Sequence, residues 1–309
     1  MNTQSQQPIR ERSDLLLIHH MANRDHKHPA GTLPALRACL EAGARVIEID
    51  ISLLADNQFA LLHGPLLECE TTGSGPIRAH TTEQVRELRH LYHGKFTEVA
   101  VGLLSEAIEL LQQYPGPVEL QLDLKPDVYS ADEVLSRLVA SLRPVQDRVR
   151  VTSPSDWALR RLRALDPDLP LGFDPLLYLE ADFGQKREPG IPPFRQGAYG
   201  YWDDHPLSSR RWGSAAEYLA ARAEALYAQV PSGMIWYIHA GLLGKALDDG
   251  FDWIAYLHAF DAHVDAWTLD AHRPEHVALA RRLIAQRLDR ITTNNAPALA
   301  QVLEVSAKY

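Results

Sequence analysis

The chain has 309 residues, 46% of them hydrophobic and 23% charged, a globular composition that allows one large core. A net charge of −9 without any basic run excludes a nucleic-acid partner, because such binding rests on Lys and Arg clustered at phosphates. No stretch nears the ~20 apolar residues of an integral membrane segment. The polar Met1–Asp14 stretch lacks a secretory signal's apolar core, and two cysteines, Cys39 and Cys69, fit a reduced, cytoplasmic setting.

In chain order, a polar tail (residues 1–13) leads into short apolar strands that alternate with helical stretches. Eight strands are expected: Asp14–His20, Arg45–Ile51, Val118–Lys125, Arg148–Thr152, Pro170–Asp174, Gly233–His239, His263–Leu269 and Asp289–Thr293. Helical spacing falls between them at Thr32–Ala42, Ser130–Leu142, Asp156–Leu165, Ser214–Ala228, Glu275–Gln286 and Pro297–Val305. This rhythm predicts a single (β/α)₈ TIM barrel spanning residues 1–309 rather than an open sheet. Two connections are long. Ala55 to Gly116 should hold a hairpin strand, Phe59–His63, and a helix near Thr82–Leu91. Residues 175–232 carry Pro189, Pro192, Pro193, Tyr199, Tyr201, Trp202 and Trp212, the composition of an insertion that covers a substrate.

Side chains two apart share a strand face. Ile47, Ile49 and Ile51 should therefore meet the helices, leaving Glu48 and Asp50 inside the barrel. Likewise Leu120, Leu122 and Leu124 oppose Glu119, Gln121, Asp123 and Lys125. Buried carboxylates are costly unless paired or bound to metal, and a salt-bridge network around Lys125 is the structural alternative. Carboxylate oxygens suit one hard divalent cation, Mg²⁺ or Ca²⁺, with Mn²⁺ also possible. Strand ends form the rim where barrel enzymes place catalysis. They carry His20, Ser153, Asp174, His239, Trp267 with Asp270, and Asn294; His63 ends the expected hairpin strand. Two histidines beside a metal can serve as base and acid.

Several of these runs together resemble the glycerophosphodiester phosphodiesterase superfamily. They are Ile18-His19-His20-Met21-Ala22-Asn23, Gly43 to Asp50, Leu61-Leu62-His63-Gly64 and Glu70-Thr71-Thr72-Gly73. The similarity continues through Leu122-Asp123-Leu124-Lys125, Ala266 to Asp270 and Ile291 to Pro297. The resemblance implies a divalent cation held by Glu48, Asp50 and Asp123, and an acid/base pair, His20 and His63. It further implies a phosphate contact from Lys125 and a wall from Trp267; His239 and Asn294 join these as candidate substrate contacts. The chain departs from the usual pattern at His20-Met21-Ala22, at Ala30-Gly31-Thr32, at Gly64 and at Asp123. Some departures look like the sphingomyelinase D branch, although only Cys69 follows His63 where that branch's loop disulfide would lie. His19 competes with His20 for the first catalytic position.

The expected activity is metal-dependent hydrolysis of a small phosphodiester to an alcohol and glycerol phosphate, by water or a neighbouring substrate hydroxyl. Which histidine is base and which acid stays open, as does the oligomeric state. Two other readings remain. One is a phospholipase D-type enzyme that forms a cyclic phosphate from lysophospholipid or sphingomyelin. The other is a non-catalytic barrel that binds phosphodiesters.

Overall fold

The computed structural model describes residues 15–126, 131–183, 199–200, 213–305 and 307–309. Eight parallel strands follow one another around a closed ring: β1 (Leu15–His19), β2 (Val46–Leu53), β3 (Glu119–Leu124), β4 (Val149–Ser153), β5 (Leu171–Phe173), β6 (Ile235–His239), β7 (His263–Trp267) and β8 (Arg290–Thr293). Each of the eight barrel strands expected from sequence is present, with ends within two residues of those expected. The ring is unevenly joined. β1 follows β8 from Leu16 to His19 and β2 follows β3 from Val46 to Ile51, but β1 and β2 meet only where His19 lies opposite Ile47.

Alternation along the strands sorts side chains as expected. Ile47, Ile49, Ile51, Leu120, Leu122 and Leu124 face outward into the main core, where helices cover them. Each such buried aliphatic side chain contributes roughly 1.5–3 kcal/mol of transfer free energy. The six anticipated helices form at Leu33–Glu41, Asp132–Leu142, Asp156–Leu165, Ala215–Gln229, Pro274–Ala285 and Ala296–Leu303. Local chemistry sets their starts. Thr32 caps Leu33–Glu41 by accepting from Ala35 N–H, with Pro34 in the first turn, and Asn295 does the same for Ala296–Leu303. Three further helices, Leu104–Gln113, Ala240–Asp248 and Trp253–His258, were not anticipated. Among the described residues no helix is long and apolar enough to cross a membrane.

Below the rim the barrel interior holds a polar cluster beside an apolar one formed by Ile18, Val46, Ile235 and Tyr237. Glu119 takes Arg150 at 3.0 Å, Arg290 at 2.9 Å and the Gln121 amide at 2.8 Å. Burial alone would raise the Glu119 carboxyl; the Arg150 and Arg290 charges and these hydrogen bonds instead hold it near 2. Beside this cluster Tyr237 lies over Gly172, where a β-carbon would come within 2.4 Å of the phenol ring.

Two expectations for the connection after β2 need correction. The strand at Phe59 ends at Ala60, paired with Ser52 and Leu53, so His63 sits in the following loop rather than at a strand end. The helix near Thr82–Leu91 stops at Arg86. Arg89–Tyr92 instead pairs antiparallel with Lys95–Ala100 around His93-Gly94, whose φ of +50° and +73° suit a two-residue hairpin turn. This insertion has its own small core, including Leu54, Leu62, Leu67, Ile77, Val85 and Val101. Of the second insertion, Pro189, Pro192, Pro193, Tyr201, Trp202 and Trp212 lie outside the described residues.

Candidate active site

Glu48 and Asp50 on β2 face Gln121 and Asp123 on β3 in register. That pairing brings one carboxylate oxygen from each of Glu48, Asp50 and Asp123 within 4.8 Å of the other two. Lys125 ends the same row, its Nζ 2.6 Å from Asp50 Oδ1 and 2.7 Å from Asp123 Oδ2. Thr152, opposite Asp123 on β4, donates to Asp123 Oδ1 at 3.1 Å. The sequence reading passed over Thr152, although its register position opposite Asp123 is the signal that could have found it.

The electrostatics are lopsided. Burial, then the charges of Asp50 and Asp123, holds the Glu48 carboxyl well above the usual range. Burial and Asp123 do the same to Asp174, at the end of β5. Lys125 keeps its proton against burial because Asp123 and Asp50 flank it. One ammonium thus faces four carboxyls, and Asp50 Oδ2 is buried with no hydrogen-bond partner among the described residues. An all-oxygen donor set with surplus negative charge and an unsatisfied oxygen fits a hard divalent cation. The salt-bridge alternative accounts for Lys125 but leaves Asp50 Oδ2 without a partner among the described residues and gives Glu48 no direct contact with the lysine.

The two adjacent histidines are separated by the strand's alternation. His19 is fully buried in the outer core, and burial together with the Arg24 charge lowers its pKa to about 4. His20 turns the other way. Its Nε2 lies 3.9 Å from Glu48 Oε2, and its Nδ1 is 2.9 Å from Asn294 Oδ1. Next to it Met21, in a left-handed conformation with φ +50°, donates its N–H to Glu48 Oε2 at 2.8 Å. Asn294 in turn gives its amide hydrogens to Asp270 at 3.1 and 3.2 Å. Asp270, which the sequence marked only as a strand-end carboxylate, is therefore tied to His20 through Asn294.

His63 is exposed on its loop, and its ring makes no side-chain hydrogen bond among the described residues. Its backbone N–H and that of Gly64 both go to Glu70 Oε1, at 2.8 and 2.9 Å. On the far side of the barrel the rings of His239 and Trp267 meet edge to face at 5.0 Å, and Phe183 packs on His239 at 5.5 Å. Burial, then the charge of His276, lowers the His239 pKa and favours the neutral imidazole. Carboxylates, lysine, imidazoles and an aromatic wall thus share one rim, the combination that phosphoryl chemistry requires.

Residues 24–174 match the model of the glycerophosphoryl diester phosphodiesterase family. A glycerophosphodiester phosphodiesterase of Bacillus altitudinis is 26% identical over 148 residues, 47% of this chain and 60% of that protein. Glycerophosphodiester phosphodiesterase 1 of Homo sapiens is 25% identical over 167 residues, 53% of this chain and 50% of that one. The matched segment thus spans only half to three fifths of these curated relatives. Solved structures extend the likeness in fold to nearly the whole chain. A phosphodiesterase of Oleispira antarctica, in complex with the product sn-glycerol-3-phosphate, superposes with a TM-score of 0.65 at 20% identity, covering 94% of this chain and 97% of that one. A structure from Galdieria sulphuraria, described as a glycerophosphodiester phosphodiesterase, gives 0.67 at 17% identity, covering 95% and 100%.

Proposed function

We propose that the chain is a member of the glycerophosphodiester phosphodiesterase superfamily, whose model matches residues 24–174, and that it is a metal-dependent phosphodiesterase releasing an alcohol and glycerol phosphate from glycerophosphodiesters. The observation that carries the reading is the convergence of Glu48, Asp50 and Asp123 within 4.8 Å, beside Lys125 and His20, on the C-terminal rim of a closed barrel. Glu48, Asp50 and Asp123 would hold a divalent cation, Mg²⁺, Ca²⁺ or Mn²⁺, which supplies Lewis-acid stabilisation of charge on phosphate when bound. Lys125, kept protonated by its two carboxylates, adds a positive charge for a non-bridging oxygen.

His20 and His63 divide the proton transfers, one taking a proton from the nucleophile, either water or a neighbouring substrate hydroxyl whose cyclic phosphate water then opens, and the other giving one to the departing alkoxide. Trp267 and His239 wall the substrate's alcohol portion. The packing of Phe183 on His239 supports that placement. Cys39 and Cys69 are both unpaired thiols, which supports a reducing, cytoplasmic setting.

The test pairs chelation with mutation. Excess chelator should abolish glycerophosphocholine turnover and a divalent cation should restore it. His20→Ala and His63→Ala should each lose ~10²–10⁴-fold in kcat while remaining folded. Full activity in chelator with no metal by elemental analysis, or wild-type turnover in both histidine variants, would remove the proposal.

A further inference from the structure

His20 and His63 are held in different ways. The His20 ring is pinned through Nδ1 to Asn294, whereas the His63 ring has no side-chain hydrogen bond among the described residues. The position of His63 is therefore set by its backbone. Two consecutive backbone N–H groups there, His63 and Gly64, both point to one acceptor, Glu70 Oε1. Consecutive N–H groups turned the same way form a small concavity that one carboxylate oxygen can satisfy.

The insertion supplies that acceptor. Glu70 N–H bonds to Leu67 O at 3.3 Å, Leu91 N–H comes to Glu70 O at 2.8 Å, and Thr71 pairs with His90 in the hairpin. Thr71 Oγ1 also closes onto Leu67 O at 2.7 Å, fixing the turn to the buried Leu67 of the insertion's core. The turn packs closely on itself at residue 64, where a β-carbon in place of the glycine hydrogen would lie 3.3 Å from Cys69 Cβ.

We propose that Glu70 is the positioning residue of His63: it fixes the loop by accepting both N–H groups, so that the insertion acts as the bracket for the second histidine. The inference rests on the proposed function for the role of His63 itself. Both contacts to Glu70 Oε1 are made by neutral backbone N–H groups, so an acceptor oxygen at that place is what the loop requires. Glutamine should therefore replace it well, whereas a side chain of similar length without an acceptor should not.

The experiment compares Glu70→Gln and Glu70→Met, alone and with His63→Ala, using glycerophosphocholine and, for the slow variants, bis-p-nitrophenyl phosphate. Glu70→Met fills the same space, and its melting temperature and circular dichroism report whether it folds. Expected is a loss of ~10–10²-fold in kcat for Glu70→Met, with KM within ~3-fold, as for a misplaced catalytic group. Glu70→Gln should stay within ~5-fold of wild type. In the His63→Ala background Glu70→Met should add no further loss, because a residue acting only through His63 has nothing left to position.

Losses that multiply in the double variant, or Gln as damaging as Met, would overturn the positioning role. So would wild-type turnover in Glu70→Met alongside a crippled His63→Ala, a result that leaves the phosphodiesterase reading standing. An unimpaired His63→Ala would instead strike at the proposed function itself. Should Glu70→Met not fold, the Gln variant decides alone: a loss well beyond fivefold in a folded protein counts against the proposal.

Discussion

At the scale of single residues, Asn294 differs most between its sequence reading and its structural setting. As a polar residue at a strand end it was expected to meet substrate, yet its amide is already engaged on both sides. Its Nδ2 faces the Asp270 carboxylate, which in its ionised form only accepts, so Oδ1 must face His20 Nδ1. That requires the proton on Nδ1 and leaves His20 Nε2 as the nitrogen free to exchange a proton in the neutral form. Asn294→Ala should therefore lower kcat by ~10–10²-fold with KM nearly constant, the signature of a lost orienting contact. A raised KM with unchanged kcat would restore the substrate-contact reading. Glu48, Asp50, Asp123 and Lys125 were legible because a period of two fixes which side chains look inward. The Asp270–Asn294–His20 chain and the Glu70 contact were not, because they join residues whose separation in sequence follows no period.

Among elements, the barrel strands were legible because each is a short apolar run with one charged or polar face. The hairpin Arg89–Ala100 was hidden because its turn, His93-Gly94, lacks the asparagine or aspartate that usually marks such a turn, and because helix-like spacing ran into it from Thr82. The helix Leu104–Gln113 was overlooked within a connection read mainly for its insertion, although five of its residues are buried. A different constraint governs β5, which is only three residues long and carries Gly172 beneath the Tyr237 ring. Gly172→Ala should overpack the interior and cost ~1–3 kcal/mol, seen as a lower melting temperature, with the loss partly recovered when Tyr237 is also made smaller. An unchanged melting temperature in the single variant would mean that the ring is free to move aside.

For the whole molecule, the net charge of −9 conceals where negative charge is costly. Four carboxyls, Glu48, Asp50, Asp123 and Asp174, share one lysine at the rim, so a bound divalent cation should stabilise the fold as well as serve the reaction. At a hundredfold excess over Kd the gain is ~2.7 kcal/mol. Thermal unfolding with and without Mg²⁺ or Ca²⁺ should show it, and Glu48→Gln should weaken the response; equal melting temperatures at saturating cation would speak against the site. The place where the ring of strands is thinnest gives this linkage a direction. β1 and β2 share a single register pair, and the groups flanking that seam are His20 and Met21 on one side and Glu48 with Asp50 on the other. Strand β1 is laddered to β8 and β2 to β3, so opening at this seam would part His20 from Glu48 before the core is exposed. The proposed catalytic centre would then double as the clasp of the barrel: heat should unfasten activity before it melts the protein, and whatever occupies the centre should hold the clasp shut.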